Sequence, residues 1–115
     1  MIKKMKYLPI LLLTSCATLN AARPLYQVGQ IVVIPSNGDI WSNCPATVTH
    51  IAPIDTLKTA NVTKAGNFWY VLYVKNCYSQ FLAKENLETY LTAKLIVNEE
   101  TMVEIVKGRL EKHLD

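Results

Sequence analysis

Histidine is scarce in this 115-residue chain: only His50 and His113 occur, far apart and at no spacing with cysteine that would make a zinc-type ligand set. No nucleophile, base and orienting group form a recognisable constellation, which points away from an enzyme. Cys44 and His50 can be written as a dyad, but oxidation of Cys44 would remove the thiolate. No cofactor or metal is expected. Asp39 and Asp55 are read as isolated, solvated loop acids. A basic patch is missing as well. Of the 12 lysines and arginines, Lys3, Lys4 and Lys6 fall in the first 15 residues, leaving nine bases against nine acids. Over residues 24–90, Lys58, Lys64, Lys75 and Lys84 are matched by Asp39, Asp55, Glu85 and Glu88 without clustering. A nucleic-acid reader must neutralise phosphates, so nucleic acid is not an expected partner. Internal repeats and low-complexity tracts are absent too.

What is present begins at the N-terminus. The three lysines precede Tyr7-Leu8-Pro9-Ile10-Leu11-Leu12-Leu13, and small residues close the segment, the pattern of an export signal. The apolar part is far shorter than the about 20 residues of a spanning helix. Its ending, Leu13-Thr14-Ser15-Cys16, resembles the lipobox of bacterial lipoproteins. That resemblance implies removal of residues 1–15, acylation of Cys16 (palmitate included) and anchorage of the mature chain in a membrane. Ala17 stands where an aspartate retains many such proteins in the inner membrane, implying the outer membrane, facing the periplasm. Residues 16–25 would be a short tether.

With Cys16 carrying lipid, Cys44 and Cys77 remain as an even pair in an oxidising compartment. The competing reading is two buried free thiols in a cytosolic protein. A bridge between them would stabilise a small domain by roughly 3–4 kcal/mol in the chain-entropy model.

Residues 24–91 read as short strands. Gln30-Ile31-Val32-Val33-Ile34 is β-branched and stops at Pro35, before the turn residues Ser36-Asn37-Gly38-Asp39. Ala46-Thr47-Val48-Thr49-His50-Ile51 alternates as a half-buried strand does, with His50 a satisfied barrel residue. Residues 53–67, ending in Gly66-Asn67, read as a long hairpin loop. Phe68-Trp69-Tyr70-Val71-Leu72-Tyr73-Val74 is the strongest strand and is expected to lie centrally with both faces covered. A tight Lys75-Asn76-Cys77 connection and a strand over 78–83 are expected next, giving a small barrel or sandwich. Asn98 can cap a helix with Glu99 and Glu100 in its first turn. Met102, Val103, Val106, Leu110 and Leu114 follow at helical spacing, although Gly108 weighs against it and a hairpin remains the alternative.

The order of several elements resembles the Tudor family: Tyr26-Gln27-Val28-Gly29-Gln30, Ile40-Trp41-Ser42, Pro45-Ala46-Thr47-Val48, Val71-Leu72-Tyr73-Val74 and Asn86-Leu87. The resemblance implies a small five-stranded SH3-like (Tudor-like) barrel over 26–91, so that with the C-terminal α-helix read from the spacing in the segment 92–115 the expected fold is mainly β. Tudor domains hold methylated side chains in an aromatic cage by cation–π attraction. Trp41 and Tyr73 match cage positions, Cys44 and Asn76 replace two others, and Tyr78 could compensate. In such a barrel the loops carrying Cys44 and Cys77 lie side by side, which implies a disulfide at the mouth. Trp41, Tyr73 and Tyr78 are therefore the candidate ligand contacts, with Trp41 alternatively a lid on its own core.

The expected function is a membrane-anchored envelope lipoprotein acting as a non-catalytic binding or scaffolding module, its partner another envelope protein or peptidoglycan. A peptidoglycan-binding SH3-like domain is the first alternative, and a small envelope enzyme the second.

Overall fold

The computed structural model describes residues 23–85 and 87–114. Cys16, the expected signal segment and most of the expected tether lie outside them, as do Asn86 and Asp115. Four strands, β1 (Ile31–Val33), β2 (Pro45–Pro53), β3 (Phe68–Tyr78) and β4 (Tyr90–Asn98), pair in sequence order as one antiparallel sheet. A 3-10 turn, Ile54–Thr56, follows β2, a short helix α1 (Gln80–Lys84) follows β3, and α2 (Glu99–Lys107) follows β4. The domain is mainly β with a C-terminal helix. Its sheet is open and four-stranded, where the Tudor resemblance implies a closed five-stranded barrel. β1 and β4 are the edges, and α2 packs against both of them and against β3.

Strand β3 carries the core because its alternation is strict: Phe68, Tyr70, Leu72 and Val74 are buried. Each such side chain contributes about 1.5–3 kcal/mol when removed from water. Trp69, Val71 and Tyr73 point the other way and are only half-buried, so one face of this central strand is covered rather than two. Val32, Ala46, Val48, Leu95 and Val97 on the other strands, with Ile34 just after β1, complete the buried layer, and Met102, Ile105 and Leu110 close it from above.

Two departures from the expected order have local causes. Lys75-Asn76-Cys77 is not a connection but a bulge within β3, where the register to β4 slips between Val74 and Cys77. Asn76 takes φ 52°, a left-handed conformation that asparagine tolerates, and donates its N–H to Thr92 Oγ1 at 2.7 Å. Of the strand expected over 78–83, Tyr78 ends β3, Ser79 is a cap and the rest belongs to α1. Ser79 is buried, and its Oγ accepts the Leu82 N–H at 3.3 Å, capping the helix. The fourth strand lies further on, over 90–98, across the boundary expected between barrel and helical segment.

The helix follows its expected cap. Asn98 Oδ1 accepts the Thr101 N–H at 2.7 Å while Nδ2 donates to the Thr63 carbonyl at 2.8 Å. Gly108 does not weaken the helix but ends it, at φ 71° in the left-handed C-terminal cap that glycine occupies without strain. Leu110 and Leu114 therefore lie beyond the helix, in a segment that turns back over the β1–β2 loop.

A disulfide joins Cys44 to Cys77, with Cα atoms 5.8 Å apart across 33 positions of sequence. It ties the β1–β2 loop to the bulged end of β3.

Candidate functional site

The β1–β2 loop is held by its own polar side chains. Ser42 Oγ donates to Asn37 Oδ1 at 2.9 Å and accepts the N–H groups of Asn37 and Asp39, both at 3.1 Å. Asp39, expected to be solvated, is buried. Its Oδ1 accepts the Ile40 N–H and its Oδ2 the Leu114 N–H, each at 2.6 Å, and His113 Nδ1 lies 3.9 Å from Oδ2. Asn37 Nδ2 adds a bond to the Lys112 carbonyl at 2.7 Å. A buried carboxylate must be satisfied, and here the chain's own backbone does it.

Between this loop and α1 lies a groove of about 350 Å³. Ser36, Asp39 and Asn43 form one wall, and Tyr78, Phe81 and Lys84 the other. Tyr78 and Phe81 are 51% and 48% exposed, and Tyr90 packs edge-on against Tyr78 with ring centroids 5.7 Å apart. The disulfide joins the residue after Asn43 to the residue before Tyr78, so it holds the two walls together. Half-exposed rings beside convergent polar groups are what a small polar ligand with an apolar face requires.

The three candidate aromatics do not converge. Trp41 is buried in the core, 6% exposed, and its Nε1 finds no hydrogen-bond partner among the described residues. Tyr73 pairs with Thr47 and Lys94 in the sheet and faces away from the core. Only Tyr78 lines the groove. Phe81 and Tyr90 take the places beside it; the exposure of Phe81 follows from α1, which replaces the strand expected there. On the outer face the His50 ring packs on Trp69, centroids 5.4 Å apart, and Trp69 Nε1 donates to Thr56 Oγ1 at 2.9 Å. His50 is thus exposed on the sheet surface rather than enclosed.

A second polar cluster lies at the start of β3. Buried Glu99 accepts the Tyr70 hydroxyl at 2.8 Å through Oε2 and the Asn67 N–H at 3.0 Å through Oε1. The Tyr70 oxygen in turn accepts the Leu25 N–H at 3.2 Å. Burial, and then the neighbouring Glu99 carboxylate, push the Tyr70 hydroxyl well above the usual phenol range. Tyr26, edge-on to Tyr70 at 5.7 Å, is raised for the same two reasons. Gly66, at φ 84°, admits this carboxylate's stem: a Cβ there would stand 2.5 Å from Glu99 Cβ. This cluster fastens α2 and the 63–67 loop to the sheet. Among the described residues no three His, Cys, Asp or Glu side chains gather as a metal ion would require.

Fold and groove define a small, disulfide-bridged, mainly β domain with an aromatic-flanked surface cleft. The chain matches no protein-family model, and no curated protein or solved structure shows significant similarity to it.

Proposed function

We propose that this chain is an envelope lipoprotein, acylated at Cys16 and held at the outer membrane facing the periplasm, whose folded domain is a non-catalytic binding module. The groove between the β1–β2 loop and α1 is its ligand surface. One observation carries that assignment: the Cys44–Cys77 bridge braces the two walls on which Asn43 and Tyr78 stand. A braced cleft has less ordering cost on binding. The bridge also suits an oxidising compartment, in keeping with the signal-like N-terminus. In this reading the open sheet is a relative of the SH3-like barrel in which α2 occupies the place of a closing strand.

The polar lining beside Tyr78 and Phe81 favours a glycan, and peptidoglycan is the ligand chemistry it fits first. Sugars present apolar CH faces to aromatic rings and hydroxyls to groups such as Ser36, Asn43 and Lys84. Co-sedimentation with purified sacculi tests this: the wild type should pellet with them, and Phe81→Ala and Tyr78→Ala should each lower the bound fraction. If the wild type stays in the supernatant, the glycan assignment falls and crosslinking in the envelope identifies a protein partner. For the anchor, Cys16→Ala should release the mature domain or leave an unprocessed precursor. A variant that still partitions into detergent at mature mass would refute acylation at Cys16.

A further inference from the structure

We propose that a second cavity, lined by Lys94, Lys112 and His113, binds a small phosphate-class anion. The cavity of about 260 Å³ lies between the 59–63 loop, β4 and the C-terminal segment. It is smaller than the roughly 300–1,000 Å³ of drug-sized ligand pockets, so it suits a compact group rather than a chain. Two lysines and a histidine line it, and no aspartate or glutamate among the described residues does, although Asp39 Oδ2 lies 3.9 Å from His113 Nδ1. That is unusual in a chain whose charges balance beyond residue 15. The remaining polar lining includes Thr59, Asn61 and Thr63, donors that a polyoxyanion accepts from without a second charge being needed.

The cations are also presented from a fixed backbone. Asn37 holds the Lys112 carbonyl, and Asp39 holds the Leu114 N–H, so the strand of chain bearing Lys112 and His113 is fastened on both sides of His113. Lys94 comes from β4, opposite Tyr73 in the sheet. Lys94, Lys112 and His113 thus line one small hollow of mixed polar and apolar character from two elements, β4 and the fastened C-terminal segment. Lysine ammonium groups bind phosphate oxygens as compact, multiply donating charges. Among the described residues, none of its lining residues lines the aromatic groove, and the two touch only through Asp39 of the groove wall, which contacts Leu114 and His113.

The test is a titration of the full chain carrying Cys16→Ser, followed by the His113 ring protons and the Lys94 amide, at constant ionic strength in chloride. Inorganic phosphate is one arm and glycerophosphoglycerol, a deacylated phosphodiester headgroup, the other. Saturable shifts at these residues are expected. Saturation by inorganic phosphate identifies a free phosphate-class anion, and saturation by the diester alone identifies a lipid headgroup. Lys94→Gln combined with Lys112→Gln should weaken binding about tenfold or more, whereas the two arginine replacements should retain it. Shifts that fail to saturate in both arms, or binding undiminished in the double glutamine variant, would overturn the proposal.

Discussion

At its C-terminal end β3 is joined to the β1–β2 loop by a covalent bond, Cys44–Cys77, whereas at its start Tyr70 and Asn67 are joined to α2 through one carboxylate, Glu99. The covalent tie leaves its surroundings open: Tyr78, Phe81 and Tyr90 stay about half exposed beside it. The carboxylate tie works only when closed, because a charge removed from water needs every partner in place. Tyr70 and Glu99 are accordingly buried. The difference separates tasks. A covalent brace can border a wet surface, while a brace made through a buried carboxylate has to stay hidden and so serves the core.

Substitutions at each end can break this contrast, and the largest effect is expected beneath the covalent tie. Trp41→Ala removes a buried indole and should cost about 3–5 kcal/mol, read as a lower denaturant midpoint. A loss below about 1 kcal/mol would mean that the loop is not packed on the core. Next comes the bridge itself: replacing Cys44 and Cys77 together by alanine should cost roughly 3–4 kcal/mol under oxidising conditions, and reducing agent should no longer change the melting curve.

The carboxylate end should yield less. Tyr70→Phe leaves one Glu99 oxygen without its donor and should cost about 1–3 kcal/mol. It should also change the response to base. Tyr70 and Tyr26 hold their protons more tightly in the folded than in the unfolded chain. Their contribution is therefore fully present below the unfolded phenol value of about 10 and is lost as pH rises from there toward the raised folded values. Between pH 8 and 11 the wild type should lose more stability than Tyr70→Phe; parallel losses would show that this pair does not set the alkaline limb. The smallest stability effect belongs to Tyr78→Ala, about 1 kcal/mol, because half of that ring is already in water and only its packing on Tyr90 is lost. Its effect should fall on sacculus binding instead, and an effect on folding as large as that of Trp41→Ala would erase the distinction between brace and surface.

The sequence made some of this legible. The alternation from Phe68 to Val74 marks β3, and Asn98 followed by two glutamates marks the start of α2, because those signals are local. The cysteine pair could be counted, though its closeness came only through the Tudor resemblance. The functions of Glu99 and Asp39 were hidden, since their partners lie 29 and 75 positions away and nothing near either residue announces them. Glu99 looks like any first-turn acid, and Asp39 like any turn residue. Tyr90 to Asn98 carried a usable clue, the period-two order Leu91, Ala93, Leu95, Val97, which the stronger helical stripe after it obscured. Phe81-Leu82-Ala83 is too short for either period to decide, and a buried Ser79 cap settles it as helix.

The sheet's two margins bear on crowding. A protein tethered in a membrane plane meets its own copies at high density, where an open strand edge invites stacking into fibrils. Here β1 is only three residues long and its run ends before Pro35, so it offers a neighbour almost no template. β4 carries Lys94 along the other margin and passes directly into α2 after Asn98. On the proposed anchor, copies of this domain should slide past one another as separate bodies, leaving each groove unobstructed.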